Sequence, residues 1–304
     1  MVDRRPQDFP NGTPDGVTDN TLAIQAAINA WLPGDQVIIS GGTFRTSHKL
    51  TISQNGLSLT GTGSIRARSV FPINSSLVEV TATGVTIDAD GLTLDQADMM
   101  FNGISIRALA AVGLQILGVI SRGTQCAFLS IEADTTDLLL AGCDHLGRGY
   151  GVLAPDPPGL TRITVRDSTF EHVGNGSGGD GVEFNCRTYG ASFVDVVGCS
   201  ARKFIGEATD QGMGFGFSGV TDGRLIGCQA LQCEGDGFHR AGFESLALRG
   251  SDRPGRRNPE PGRRQWFRAD RVRQRRHHRR PHVGQELRLS RDRAQRSDQP
   301  ISAP

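Results

Sequence analysis

Five stretches of the chain are variants of one line, and a line repeated at this interval dictates a stacked architecture. They are 114–121 (LQILGVIS), 138–145 (LLLAGCDH), 163–170 (ITVRDSTF), 194–201 (VDVVGCSA) and 223–230 (GRLIGCQA). Aligned, Val119, Cys143, Ser168, Cys199 and Cys228 fall in one column, at steps of 24, 25, 31 and 29 residues. A second column follows each: Ala127-Phe128-Leu129, Gly151-Val152-Leu153, Gly181-Val182-Glu183, Gly214-Phe215-Gly216 and Gly237-Phe238-His239. One short strand cannot bury its apolar face alone. Stacked copies share a continuous core, and a period of about 20 to 50 residues marks that arrangement.

Composition agrees with many short strands and tight turns. The 304 residues include 40 glycines and few aromatics, and the apolar residues are mostly Val, Ile and Leu. No apolar run reaches the roughly 20 residues of a membrane helix. The opening segment 1–10 (MVDRRPQDFP) has no apolar core of a secretory signal. Six cysteines without a CxxC pair read as small buried hydrophobes rather than a metal set, and Cys126 and Cys233 have no His-plus-acid arrangement of a nucleophile. The net charge of +1 hides an asymmetry. Residues 251–304 hold 16 Arg, no Lys and six acids, a net of +10, which leaves −9 for the first 250 residues.

Three segments follow. Residues 1–50 read as an N-terminal cap and first strands. Asp19 or Asn20 caps a helix whose apolar stripe is Ile24, Ala27, Ile28 and Trp31, ending near Pro33-Gly34. Val37-Ile38-Ile39 then forms a buried strand. Such a helix covers the open end of a stack, where strand edges and apolar interior would otherwise be bare. Residues 51–250 read as strands and turns, with period-two alternation at Leu50-Thr51-Ile52, Leu57-Ser58-Leu59, Val78-Glu79-Val80, Val85-Thr86-Ile87 and Leu92-Thr93-Leu94, while Ile104-Ser105-Ile106 joins the second column. Strands this short without intervening helices do not suit a doubly wound sheet. The expected fold is all-β, a right-handed parallel β-helix (solenoid) with an N-terminal capping α-helix; a β-sandwich is the alternative. In residues 251–304 the alternation stops and Arg-rich text begins (271–280 reads RVRQRRHHRR). This tail reads as out-of-frame translation of a GC-rich gene, with a disordered tail or a basic polyanion-binding tail as the alternatives.

The segment from Asp8 to Ala30, with Asp15-Gly16-Val17-Thr18-Asp19-Asn20-Thr21 and Ala23-Ile24-Gln25-Ala26-Ala27-Ile28, resembles the opening of the pectate-lyase superfamily. Those proteins carry DFGA-x-GDG-x-x-D-[DN]-T-x-AIQ-x-AI at the first cap. Val37 to Phe44 (VIISGGTF) is similar to their next strand and turn. Where the superfamily has FGA, this chain has Phe9-Pro10-Asn11. The resemblance implies a right-handed parallel β-helix that acts on or binds polysaccharide. Members include polysaccharide lyases, polygalacturonase-type hydrolases, mannuronan C5-epimerases and phage tailspike depolymerases. Gly149-Tyr150-Gly151, the segment 160–168 and Gly179-Asp180-Gly181 also resemble the tyrosine-bearing turn of the epimerases and the coil after it. The Gly-x-Asp-Pro-His that follows that tyrosine in the epimerases is absent after Tyr150.

The repeat places candidate chemistry on one wall. With Val182, Phe215 and Phe238 inward, Glu183, Gly216 and His239 form an outward row. Coils stack about 4.8 Å apart, so Glu183 and His239 lie roughly 10 Å apart across one coil. Asp180 and Asp236 sit in matching Gly-Asp-Gly turns with Met213 between them. Asp210 and Gln211 lie at the mouth of the same groove, and Glu207 is on its loop. Phe215 and Phe217 are expected in the core. A hydrolase needs one carboxylic acid and one carboxylate, roughly 6.5–9.5 Å apart for inversion, a separation Asp180 and Asp236 approach. A lyase or epimerase needs a base, His239 or Tyr150, and a charge neutraliser such as Arg187. Asp180, Glu183, Asp236, His239 and Tyr150 are therefore the candidate catalytic residues, and Arg187, Asp210, Gln211 and Asn185 the candidate substrate-binding ones. In each, the plain alternative is a turn-capping or solvated residue. The leading expectation is a polysaccharide-degrading lyase or hydrolase. The alternatives are a uronate epimerase and a non-catalytic carbohydrate-binding or phage tailspike protein, a homotrimer in that last case. Membrane and nucleic acid are not expected partners, and no cofactor or metal is expected. A groove Ca²⁺ held by Asp residues is the one alternative, and the sequence gives it no support.

Overall fold

The computed structural model describes residues 2–88, 91–96, 103–174, 178–206, 212–241 and 246–249. The Arg-rich stretch 251–304 lies outside the described residues, as do Glu207, Asp210 and Gln211. The chain winds as a parallel β-helix. Short strands alternate among three sheets of eleven, nine and eight strands, and every paired neighbour among the described residues is parallel and comes from another coil.

The helix Thr21–Asn29 caps one end. Its Ala23, Ile24, Ala27 and Ile28 are buried, and Trp31 just beyond it donates from Nε1 to the Asp35 carbonyl at 2.7 Å. Burying each isoleucine contributes about 1.5–3 kcal/mol. The helix stops at Asn29, four residues short of the Pro33-Gly34 expectation. The Asp19 carboxylate, rather than Asn20, serves its first turn, accepting from the Thr21 amide at 3.1 Å and hydroxyl at 2.6 Å. Asn20 instead braces the preceding loop, accepting from the Thr13 amide at 2.7 Å and donating to the Thr18 carbonyl at 2.6 Å. Gln25 closes the edge of the third sheet. Its Nε2 donates to the Thr51 carbonyl at 3.0 Å and its Oε1 accepts the Thr51 amide at 2.9 Å, so a side-chain amide stands where a further strand would pair.

The cysteine column is real. Val119, Cys143, Ser168, Cys199 and Cys228 are buried. The amides of Asp144, Thr169, Ser200 and Gln229 donate to the carbonyls of Val119, Cys143, Ser168 and Cys199, one coil to the next. Burial pushes the Cys143 thiol up to about 12, so this thiol is inert packing. Phe215 and Phe217 are buried, and ring stacks run between coils at 5.7 Å (Phe184–Phe217) and 5.4 Å (Phe215–Phe238).

The second column needs one correction. Leu129 pairs with Val152 and Ser130 with Leu153, so the 127–129 stretch is shifted by one residue from its expected alignment. The reason is a bulk exchange at the corner between the second and third sheets. In one coil Phe128 fills the corner and stacks on His145 with ring centroids 5.9 Å apart. In the next coil Phe170 fills it from the other side, and a Cβ on Gly151 would meet Phe170 Cδ1 at 2.3 Å. Phe128 therefore matches Gly151, not Val152.

Candidate functional site

The outward row of the third sheet runs Thr51, Glu79, Arg107, Ser130, Leu153, Glu183, Gly216 and His239, each paired with the next. Its two halves differ in electrostatics. In the first half the carboxylates are neutralised. Glu79 meets Lys49 Nζ at 2.5 Å and Arg107 at 3.7 Å, and Arg107 also reaches Glu132 at 3.6 Å. Ser130 Oγ donates to Glu132 at 2.7 Å.

In the second half carboxylates gather with few cations. Asp180 precedes the strand Val182–Asn185 and is 0% exposed. Its Oδ1 accepts the Met213 amide of the next coil at 2.7 Å, and its buried Oδ2 has no hydrogen-bond partner among the described residues. Burial, then the charge of Glu183, pushes the Asp180 carboxyl up to about 8. Glu183 is half-buried. Burial raises its pKa as well, opposed by the positive charge of Arg187 and a hydrogen bond from the Tyr150 hydroxyl. Tyr150 is thus brought onto the site. Gly216 makes the space between these groups. A Cβ there would stand 3.6 Å from Asp180 Oδ2, 3.7 Å from Glu183 Cγ and 3.2 Å from Met213 Cε. The Met213 methyl, at the end of a flexible side chain, thus borders the same space as the orphan oxygen.

Asp236 and His239 sit one coil further. His239 pairs with Gly216, and its Nδ1 is 4.0 Å from Asp236 Oδ2. Asn185 lies on the strand of Glu183, paired with Pro155 and Ser218. Arg187 follows on an exposed loop braced by Asp156, whose carboxylate accepts the Thr188 amide at 2.9 Å and the Tyr189 amide at 3.3 Å. The sequence offers Asp180 as a candidate catalytic residue in a Gly-Asp-Gly turn, with a self-capping turn residue as the plain alternative. The structure instead joins it to the next coil and buries it against Glu183, and a Gly-Asp-Gly string carries no signal of that. Among the described residues, no group of three or more His, Cys, Asp or Glu is placed to hold a metal ion. Among them too, no helix is long and apolar enough to cross a membrane.

An open wall of stacked strands with a cluster of raised carboxyl groups defines a class of protein, a β-helix with a candidate site on its outer face. No family model matches the sequence, and no curated protein matches it. Solved structures do. The pre-mature bacteriophage phi29 gene product 12 superposes with a TM-score of 0.54 at 15% identity, over 78% of this chain and 34% of that one. An iota-carrageenase complexed to iota-carrageenan fragments gives 0.52 at 13% identity, over 76% and 56%. The N-terminal fragment of phi29 gene product 12 gives 0.50 at 13% identity, over 80% and 42%. The chain thus spans well under two thirds of the length of each. At these identities the likeness is one of fold, and the fold is a parallel β-helix.

Proposed function

We propose that the chain cleaves a polysaccharide laid along the outer face of the third sheet, as a glycoside hydrolase. Glycoside hydrolysis needs a carboxyl that is protonated at working pH beside one that is charged. One observation carries the reading: Asp180 and Glu183 crowd a single glycine-floored gap, and desolvation holds Asp180 protonated at neutral pH. Asp180 serves as general acid once Met213 is displaced by the sugar. Glu183 is the charged partner, oriented by Tyr150. Asn185 and Arg187 contact flanking sugar units, with Asp236 and His239 one subsite further along the wall.

The iota-carrageenase that shares the fold is described in complex with fragments of its polymer, which supports a glycan as the ligand. A lyase or epimerase would instead use Tyr150 or His239 as base and Arg187 as neutraliser. A tailspike-like trimer would bind glycan without cutting it. Incubation with iota-carrageenan, polygalacturonate and alginate separates these readings. Hydrolysis releases reducing ends without ultraviolet-absorbing products. Unsaturated products or epimerised uronate would transfer the chemistry to Tyr150 or His239. Retention of polymer with no product would leave a binding protein.

A further inference from the structure

Among the described residues, one corner of seven successive coils carries a residue in the left-handed conformation. The column is Gly56, Gly84, Gly113, Asp137, Arg162, Phe193 and Asp222, with φ of 78°, 67°, 67°, 56°, 54°, 55° and 55°. Glycine fits this corner without strain, as the first three coils show, and aspartate tolerates it. A phenylalanine does not, because its bulk raises the cost of a left-handed backbone. Nevertheless Phe193 occupies it and is 55% exposed, so neither backbone geometry nor core packing accounts for the ring. An unforced strained residue of this kind is the observation from which a functional role is argued.

The surroundings are built. Phe193 lines a cleft of about 620 Å³ on the first sheet, with Arg162, Asp195, Asp222 and Arg224 among its walls. Both guanidiniums are clamped bidentately by a carboxylate on the neighbouring coil. Arg162 donates through Nε and Nη2 to Asp137, the latter at 2.7 Å, and Arg224 donates through Nε to Asp195 Oδ1 at 2.6 Å and through Nη2 to Asp195 Oδ2. Each guanidinium keeps further N–H donors, and each carboxylate further lone pairs, to offer a ligand.

We propose that the Phe193 cleft is a second glycan site, separate from the carboxylate wall of the third sheet, which holds uncharged sugar units. The apolar face of a pyranose ring lies on the Phe193 ring. Its hydroxyls reach the clamped Arg162–Asp137 and Arg224–Asp195 pairs on either side. The occupant follows from the charges. The two guanidiniums are already neutralised, and Asp222 adds a negative charge, so a polyanion gains nothing here. A protein partner would need an interface burying about 1,000 Å² or more with a core depleted of charge, whereas here one aromatic ring is bordered by ion pairs. The proposal does not depend on catalysis at Asp180 and Glu183.

Native affinity electrophoresis through gels containing a neutral galactan, xylan or mixed-linkage β-glucan tests it, with polygalacturonate as the charged comparison. The wild-type chain and the groove variant Glu183→Gln are expected to be retarded equally by at least one neutral polymer. Phe193→Asn, which suits the left-handed backbone and removes the ring, should bind about tenfold more weakly, while Phe193→Trp retains binding. Equal retardation of Phe193→Asn and wild type, or no retardation by any neutral polymer, overturns the proposal. So does concentration-dependent self-association in sedimentation that Phe193→Asn abolishes, because the ring would then face a second copy of the chain. Loss of polymer cleavage in Glu183→Gln with retardation intact keeps the two sites distinct.

Discussion

Replacing Asp180 by Asn should change the pH dependence of stability more than its magnitude at any single acidic pH. The carboxyl titrates near 3.8 in the unfolded chain and at about 8 in the folded one, because burial and the Glu183 charge disfavour the ionised form. The folded state therefore binds more protons than the unfolded state between these values, and stability falls as pH rises through that window. Below about 4 both states are protonated and the group contributes no penalty; above about 8 the penalty is complete. Each pH unit in the window corresponds to about 1.4 kcal/mol, so the interval amounts to ~6 kcal/mol. Asparagine keeps the acceptor for the Met213 amide and cannot ionise. It places a buried amide donor where Oδ2 stood, at a cost of about 1–3 kcal/mol. The variant should thus match or fall slightly below wild type at pH 4–5 and exceed it by a few kcal/mol at pH 9. Urea unfolding followed by circular dichroism across pH 4–9.5 measures this. A difference between the two proteins that stays constant over the range would refute the burial of an ionisable Asp180.

Other expectations follow from the same geometry. Gly216→Ala should fold normally, since its methyl is crowded only by the movable end of Met213 at 3.2 Å and stands at ordinary contact distance from Asp180 Oδ2 (3.6 Å) and Glu183 Cγ (3.7 Å), yet lower polymer cleavage at least tenfold by filling the gap between the carboxyls; Gly216→Val should abolish cleavage, with thermal melting as the control. Phe193→Gly should stabilise the fold by about 1 kcal/mol through relief of the left-handed backbone, read as a rise of about 2–4 °C in Tm. Gln25→Ala removes two hydrogen bonds that close the edge of the third sheet, and should cost about 1–3 kcal/mol and increase aggregation seen by light scattering.

The sequence made the interior legible and left the electrostatics hidden. Cys143, Cys199 and Cys228 could be aligned because a shared core accepts only small apolar groups at a fixed point in every coil. The stacking of Glu183, Gly216 and His239 followed from strand alternation alone. Phe128 misled the alignment because core volume is conserved across a corner, not along a strand, so an aromatic in one sheet is exchanged for one in the next. Asp180 stood out as a catalytic candidate in its Gly-Asp-Gly turn, but its burial did not, since it is joined to the Met213 amide of another coil. Nothing in the sequence revealed the corner column that ends in Asp137, Arg162, Phe193 and Asp222, because those residues share a backbone angle and no chemistry.

The pH dependence of reducing-end release, measured on a cleaved polymer with wild type and Glu183→Gln, tests most directly whether neighbouring carboxyl groups on this wall form the reacting pair. The account predicts a bell. Its acid limb lies above the ordinary carboxylate range, because burial raises Glu183, and its alkaline limb falls near 8 as Asp180 loses its proton. Glu183→Gln should lower the rate at least a hundredfold at the optimum. A rate still rising through pH 9, or a Glu183→Gln variant as active as wild type, would contradict it.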